Sequence, residues 1–216
     1  MLSLLLDAAW MTLGLALASL VGGMALALAF SAAELSKQCW LVWPVATLTT
    51  LIRGLPELLV VLFIYFGSTQ VLFLITGEYV EFSPFACGVL ALSLLFASYA
   101  TQTLRAALNA VPAGQRLAAL ALGLGKSHIF FRIVLPQAWR HALPGLGNQW
   151  LVLLKDTALV SLIGVNEMMR QAQMASASTY EPFTWYAAAA LIYLAISLVS
   201  EFGLKQAARY TRRYGG

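Results

Sequence analysis

The chain contains 216 residues, of which 61% are hydrophobic and 10% are charged, and its formal net charge is +4. Soluble domains average about 45–50% apolar and about 25% charged residues, so this composition excludes an ordinary soluble protein. The length suits about five membrane-spanning helices of roughly 20 residues with short loops, and it leaves no room for a separate soluble domain. We therefore treat residues 1–216 as a single transmembrane domain.

The first predicted span covers about residues 8–30 and follows a short stretch without Lys or Arg. A secretory signal would need a basic start and a shorter apolar core, so we expect this helix to be retained. Gly14, Gly22 and Gly23 predict close contacts with neighbouring helices, because small residues let helix backbones approach each other in lipid. A polar loop that contains Glu34 is expected to follow.

The second and third spans are predicted within residues 44–75 and at residues 84–110. Pro56 lies inside the second window and is expected to kink or start its helix, because proline lacks the backbone donor that a helix interior needs. The third span is apolar up to Tyr99 and then becomes polar through Arg105. We expect this polar end to reach the membrane surface.

A basic, amphipathic segment at residues 111–136, here called the docking hairpin, follows the third span. Its apolar residues recur at helical spacing up to a glycine corner: Leu117, Leu120, Ala121 and Leu124. Gly123 interrupts this pattern, and Ser127 is a candidate N-cap for a second short helix. Pro136 is expected to end that helix, because the residue before a proline avoids helical geometry. Two short helices between membrane spans are typical of a surface on which another protein docks.

The fourth and fifth spans are predicted at about residues 144–165 and 183–204, with a polar segment at residues 166–182 between them. Basic residues set the orientation, because Lys and Arg collect in cytoplasmic loops. One side of a five-span bundle, together with the tail, carries eight of them: Lys37, Arg116, Lys126, Arg132, Arg140, Arg209, Arg212 and Arg213. The opposite side carries Arg170. The N-terminus is therefore expected outside, and the C-terminus and the docking hairpin are expected in the cytoplasm.

The docking hairpin resembles the cytoplasmic loop of ABC-importer permeases, whose motif is EAA-x3-G-x9-I-x-LP. Gly123 is followed after nine residues by Ile133, and Leu135 and Pro136 complete the match. Further stretches resemble the branch of this family that takes up polar amino acids: residues 53–56, 111–115, 136–137, 143–145 and 155–161. Residues 139–161 are most similar to arginine-importer permeases.

This resemblance implies an all-α type I ABC-importer permease fold, with five transmembrane helices and a cytoplasmic coupling-helix loop. It implies a permease subunit of an ATP-driven importer for polar, and specifically basic, amino acids, with arginine favoured, working by alternating access. The chain would be no enzyme and hold no cofactor, since ATP and Mg²⁺ would be bound by a partner ATPase. The expected partners are a second permease, identical or related, two ABC ATPase subunits, a periplasmic or surface-anchored amino-acid-binding protein, and membrane lipid. Nucleic acid is not expected, and the location would be the bacterial inner membrane.

The resemblance also implies which hairpin residues couple it to the ATPase: Gly114, Gln115, Leu117, Ala118, Ala119, Gly123, Lys126, Ile133 and Pro136. The motif places EAA on residues 117–119, so Leu117 stands where the family has a glutamate. Our hypothesis is that the partner permease supplies this ionic contact, and that this copy docks through shape and apolar area.

The glycine corner also resembles part of a phosphate-binding loop, because residues 123–127 read Gly-Leu-Gly-Lys-Ser. That loop needs an earlier glycine, which would stand at position 120, and a buried strand before it. Residue 120 is a leucine, and no strand is predicted there. ATP hydrolysis is therefore assigned to another subunit.

Four ionisable residues fall within predicted spans, where charge is costly and usually functional: Arg53, Glu57, Lys155 and Asp156. In a functional interpretation, Glu57 or Asp156 supplies negative charge along a path for a cationic amino acid, with Lys155 and Thr157 beside it. In a structural interpretation, the four charges pair across helices and lock the bundle. We favour the structural interpretation, because buried ions need partners whatever the cargo. Lys155 and Asp156 diverge by about 100° on a helix, so they face different neighbours.

Two other classes of function can be weighed against the importer. A stand-alone secondary transporter or channel would use the intramembrane charges with an ion gradient, but such folds usually contain internal repeats, and none is evident. A membrane-embedded enzyme is disfavoured, because no nucleophile–base or metal-ligand constellation is recognisable. His128 and His141 lack ligand partners in the sequence, and Cys39 and Cys87 have the spacing of free packing thiols.

Overall fold

A computed structural model describes residues 2–36, 38–78 and 82–213. Lys37, which enters the orientation argument, and the last three residues of the tail lie outside these ranges. Within them the chain is helical and contains no strand, as predicted. The elements are α1 (Leu2–Glu34), α2 (Cys39–Gly54), α3 (Glu57–Thr76), α4 (Pro84–Ala110), α5 (Ala113–Ala121), α6 (Lys126–Ile129), a π-helical turn (Phe130–Val134), α7 (Leu135–Asp156), a 3₁₀ segment (Thr157–Ile163), α8 (Met168–Thr179) and α9 (Pro182–Arg213).

The core of the bundle is built around α4, which packs against α1, α2, α3, α7 and the 3₁₀ segment. Small and medium apolar side chains are buried along its length, among them Ala91, Leu92, Ala97 and Ala100. Small side chains let the surrounding backbones come close, which is the main source of packing energy between helices in lipid. The position of α4 therefore sets where the other helices lie.

The closest approach of α1 to α4 occurs at two glycines. A Cβ atom on Gly23 would lie 2.8 Å from Phe96 Cδ1 and 2.9 Å from the Ser93 carbonyl oxygen. A Cβ atom on Gly22 would lie 2.7 Å from Ser93 Oγ. Gly14, in contrast, has no other atom within 4 Å of its Cβ position. Two of the three glycines that were expected to permit close packing therefore do so.

The window predicted for the second span, residues 44–75, contains two helices rather than one. Helix α2 ends at Gly54 and α3 begins at Glu57, so Pro56 starts a helix rather than kinking one. Leu55 has an extended backbone with φ −97° and ψ 148°, as expected for a residue that precedes a proline. This break places Glu57 in the first turn of α3.

Pro136 does not end a helix, and the expectation that it would do so is wrong. The chain stays helical from Lys126 through the π-helical turn to Asp156. The Leu135 amide donates to the Phe130 carbonyl, so the turn before the proline is widened by one residue. A widened turn makes room for the proline ring, which would otherwise clash with a carbonyl one turn earlier. Pro144, where the fourth span was expected to begin, lies inside α7.

Four described helices are long and apolar enough to cross a membrane: Ser3–Glu34, Glu57–Thr76, Pro84–Ala110 and Pro182–Gln206. Helix α7, which covers most of the predicted fourth span, is not among them, because it carries several polar residues. It packs against both α4 and α9, and a helix shielded by its neighbours can carry polar side chains toward the bundle interior. The count of five spans therefore stays a prediction.

Glu34 lies in a buried polar network, not in the solvated loop that the sequence led us to expect. It is the last residue of α1, and its side chain is 1% exposed. The carboxylate pairs with Arg105, and it accepts hydrogen bonds from Thr49 Oγ1 at 3.2 Å and Gln102 Nε2 at 3.5 Å. The site could not be predicted from the sequence, because none of the three partners is near Glu34 along the chain. The network joins α1, α2 and α4 close to the start of the docking hairpin.

Replacing Gly23 with alanine tests the close approach of α1 to α4. The new methyl group would meet the Ser93 backbone, which cannot rotate away, so we expect Gly23→Ala to destabilise the protein by about 1–3 kcal/mol. Thermal unfolding of the detergent-solubilised protein measures this change. Gly14→Ala is the matched control on the same helix, where we expect no loss of stability, since alanine favours a helix by about 0.5–1 kcal/mol. Equal unfolding temperatures for Gly23→Ala and wild type would contradict this packing.

Candidate functional site

Two acidic residues that are 99 positions apart in the sequence line one cavity of about 340 Å³. Glu57 enters from the start of α3, and Asp156 enters from the last residue of α7. Helix α4 supplies the apolar and aromatic wall, and α7 supplies the rest: Leu95, Phe96, Tyr99, Asn148, Gln149, Val152 and Leu153. A volume of this size suits a small-molecule site. We call this space the acidic cavity.

Gln149 lines the acidic cavity, and it carries a buried hydrogen-bond acceptor that is not used. Its Nε2 donates to Thr103 Oγ1 at 2.7 Å, whereas its buried Oε1 has no hydrogen-bond partner among the described residues. A buried polar atom without a partner is costly, so its persistence invites a functional explanation. The two carboxylates of the cavity offer acceptors to a ligand that carries several N–H donors.

Gln149 was not predicted as a site residue, although its spacing from Asp156 along the chain contains a usable signal. Four residues of α7 that line the acidic cavity stand at positions i, i+3, i+4 and i+7: Gln149, Val152, Leu153 and Asp156. Residues at this spacing share one face of a helix. A search for polar residues on the Asp156 face would therefore have found Gln149.

No ion pair joins any two of the four intramembrane charges. The predicted pairing of these charges across helices is therefore wrong. Arg53 Nε donates to the Thr49 carbonyl at 3.2 Å. Among the described residues, the ion pairs are Arg105–Glu34 and Lys205–Glu201. Glu57 and Asp156 therefore share a cavity, and neither forms an ion pair with a described basic residue. The structural interpretation that we favoured does not account for this arrangement.

Lys155 and Thr157 lie apart from the acidic cavity. Lys155 faces a different cavity of about 310 Å³, between α7, α8 and α9, together with Tyr186 and Tyr193. Thr157 is fully buried and donates to the Leu154 carbonyl at 2.7 Å. Of the four residues proposed for the substrate path, the structure thus brings together Glu57 and Asp156. The divergence of Lys155 from Asp156 agrees with the geometry expected for consecutive helical residues.

The docking hairpin consists of two helical arms that pack on each other through a small apolar core. Its buried residues are Val111, Ala119, Ile129, Val134 and Ala138. Gly123 makes the corner with φ +77°, a left-handed conformation that glycine adopts without steric cost. Gln137 Nε2 donates to Gln115 Oε1 at 2.6 Å and thereby ties the second arm to the first. The hairpin is thus a defined structural unit.

The outer surface of the hairpin combines exposed apolar side chains with basic ones. Leu117, Leu122 and Phe131 are 65%, 80% and 62% exposed. The residues implied in coupling are mostly exposed as well: Gly114, Gln115, Leu117, Ala118, Gly123, Lys126 and Pro136. Ala119 is buried in the hairpin core, and Ile133 is half-buried. Exposed apolar side chains with basic residues around them mark a surface suited to a protein partner.

The chain is similar to known proteins that all belong to one family of transport permeases. The family model described as "Binding-protein-dependent transport system inner membrane component" matches residues 25–213. The chain is 56% identical to the arginine ABC transporter permease protein ArtQ of Haemophilus influenzae, over 98% of this chain and 95% of that protein. It is 54% identical to ArtQ of Escherichia coli K12, over 97% of each. It is 38% identical to the histidine/lysine/arginine/ornithine transport system permease protein HisQ of Salmonella typhimurium, over 91% and 88%.

Solved structures lead to the same fold. A crystal structure of an amino acid ABC transporter with histidines aligns with a TM-score of 0.86 and 30% identity, over 96% of this chain and 94% of that chain. The inward-facing MetNI methionine ABC transporter aligns with a TM-score of 0.75 over 96% of both chains. Its identity of 18% makes this a likeness of fold alone. Together these likenesses confirm the permease fold that the hairpin motif predicted.

Replacing Gly123 tests the hairpin corner. Gly123→Ala places a Cβ atom at φ +77°, which costs about 1–2 kcal/mol, so we expect the two arms to open more often. Brief trypsin digestion with mass spectrometry should then show faster cleavage after Lys126 and Arg132. Gly125→Ala is the control, because Gly125 has φ −67° and open space at its Cβ position, and we expect wild-type cleavage rates there. Equal cleavage rates for Gly123→Ala and Gly125→Ala would contradict the prediction that a side chain at position 123 strains the corner.

Proposed function

The chain belongs to the family of binding-protein-dependent transport system inner membrane components, and from this membership we propose that it forms a path for basic amino acids, arginine above all. It is a membrane-integral permease subunit of an ATP-driven importer and not an enzyme. The observation that carries the proposed cargo is the acidic cavity, where Glu57 and Asp156 meet and neither is ion-paired with a described basic residue. Relatives that are 54–56% identical are named for arginine, which supports the same cargo.

The acidic cavity suits a cargo with cationic groups and an aliphatic stem. Carboxylates bind guanidinium and ammonium groups through charge-assisted hydrogen bonds, which are about twice as strong as neutral ones. Glu57 and Asp156 take this role in our proposal. The apolar wall from α4, including Leu95 and Phe96, contacts the methylene groups. A cationic cargo also relieves the repulsion between two carboxylates in one cavity.

The docking hairpin is, in our proposal, the surface that receives the ATPase. Its exposed leucines and basic residues are contiguous with a helix that runs to Asp156, so a movement of the hairpin reaches the acidic cavity. The proposed complex contains two permeases, identical or related, two ABC ATPase subunits, and a periplasmic or surface-anchored binding protein. The hairpin lies in the cytoplasm, with the N-terminus outside and the C-terminus inside, in accordance with the distribution of basic residues.

Alternating access then requires the ATPase to favour one of two conformations. A partner shifts such an equilibrium only when it binds the two conformations with different affinity. ATP-driven closure of the two ATPases would bring the docked hairpins of two permeases together and turn the acidic cavities outward. Each permease contributes no chemistry to this cycle. Its task is to couple the position of the hairpin to the orientation of the cavity.

Neutralising the acidic cavity tests the cargo. In proteoliposomes that contain the assembled importer, we expect Asp156→Asn and Glu57→Gln each to raise the KM for arginine uptake about ten- to a hundredfold, the value of a hydrogen bond to a charged group. Glu201→Gln on α9 is the matched control, since Glu201 is paired with Lys205 on the exposed surface. Its KM should stay at the wild-type value. Unchanged KM values for both cavity variants would overturn the proposed path.

Leu117, which stands at the position of the family's glutamate, tests how the hairpin docks. If this copy docks through apolar area, Leu117→Gln should weaken binding of the purified ATPase about tenfold, because an exposed leucine loses its burial in the interface. Ala110→Gln, an exposed change at the end of α4, should leave the affinity unchanged. Leu117→Glu should not improve coupling, measured as arginine transported per ATP hydrolysed. A sharp rise in coupling with Leu117→Glu would contradict docking by apolar area.

A further inference from the structure

Glu167 is completely buried, although the sequence places it in a polar segment between two predicted spans. It precedes α8 and caps that helix: Oε1 accepts the Arg170 amide at 2.8 Å, and Oε2 accepts the Met169 amide at 2.9 Å. These two bonds satisfy the usual needs of a helix N-terminus. The carboxylate nevertheless accepts further bonds from other parts of the chain.

The additional bonds of Glu167 come from α1 and α9. Tyr193 of α9 donates its hydroxyl to Glu167 Oε2 at 2.9 Å. Thr12 of α1 lies 3.5 Å from the same oxygen, and its own hydroxyl oxygen accepts the Met168 amide at 3.1 Å. Thr12, Glu167 and Met168 are all fully buried. One carboxylate thus joins α1, α8 and α9, which is more than a helix cap requires.

Tyr193 extends this network to the end of α7. Its hydroxyl oxygen lies 3.4 Å from Thr157 Oγ1. Both hydroxyls have a shorter partner, Glu167 Oε2 at 2.9 Å for Tyr193 and the Leu154 carbonyl at 2.7 Å for Thr157, so this contact is a weak hydrogen bond that shares one of the two hydrogens. Thr157 follows Asp156 directly, at the point where α7 ends and the 3₁₀ segment begins. The chain of bonds therefore reaches the residue next to the acidic cavity.

We propose that Glu167 and Tyr193 are positioning residues, which hold Thr157 and thereby fix the Asp156 carboxylate in the acidic cavity. Neither side chain lines that cavity, so neither touches the cargo. The junction between α7 and the 3₁₀ segment is a point at which the helix changes its winding, and such points bend unless they are anchored. Tyr193 supplies the anchor, and Glu167 holds the hydroxyl of Tyr193 in place. This inference rests on the proposed function of Asp156.

Tyr193→Phe removes the anchor while keeping the ring. In proteoliposomes of the assembled importer, we expect it to raise the KM for arginine about two- to tenfold, as for the loss of one hydrogen bond, and to change the maximal rate per assembled complex much less. Tyr186→Phe, on the same helix, is the control, since the Tyr186 side chain is 40% exposed and its hydroxyl forms no hydrogen bond with another described residue. A reduced yield of complex with an unchanged KM would make Tyr193 a structural residue and overturn the proposal.

The opposite end of the link gives a second test. Thr157→Val should raise the KM in the same way, whereas Thr157→Ser keeps a hydroxyl and should restore the wild-type value. In the Asp156→Asn background, Tyr193→Phe should cause no further rise, because its effect passes through the carboxylate. If Tyr193→Phe raised the KM for arginine by its full factor in that background, the inference would be wrong, but the proposed role of the acidic cavity would stand. An unaltered KM in Asp156→Asn and Glu57→Gln would instead overturn the proposed function itself.

Discussion

A carboxylate buried in a membrane bundle must meet a cation or several hydrogen-bond donors, because the cost of desolvating the charge is otherwise too high. Glu34 meets Arg105 and two neutral donors, and Glu167 meets two amides and Tyr193. Glu57 and Asp156 share a cavity, and within the described part of the chain neither has an ion-pair partner. This contrast divides these four acidic residues into two that hold the scaffold and two that, in our proposal, are open to a cargo.

The scaffold connects the acidic cavity to the docking hairpin by two routes. Helix α4 supplies the apolar wall of the cavity and ends at Ala110, immediately before the hairpin. The second arm of the hairpin continues through the π-helical turn into α7, whose 22 residues span about 33 Å before they reach Asp156. A continuous helix transmits a displacement along its length better than a loop does. The irregular π-helical turn is the part of this connection most able to deform.

Much of the fold could be predicted because it depends on local signals. Composition and apolar runs located the long helices, and glycine predicted both the corner at Gly123 and the close contact at Gly23. The ends of helices around Pro136 and Pro144 could not be predicted, because a widened turn and packing against α4 override the local effect of proline. The network of Glu34 depends on contacts between distant parts of the chain, which a single sequence does not reveal. That Glu57 and Asp156 line one cavity could not be predicted either, although both residues were recognised as intramembrane charges.

The least apolar long helix is the one that carries the candidate site, and the two facts have one cause. A helix that faces lipid on most sides must be apolar, whereas α7 is enclosed by α4 and α9 and can expose Gln149 and Asp156 to a cavity. The polar face lowers its mean hydropathy until its length and composition no longer suggest a membrane span. In a bundle of this kind, hydropathy identifies the helices that form the lipid-facing wall. The helix that lines a polar cavity is found by the polar residues that recur on one of its faces.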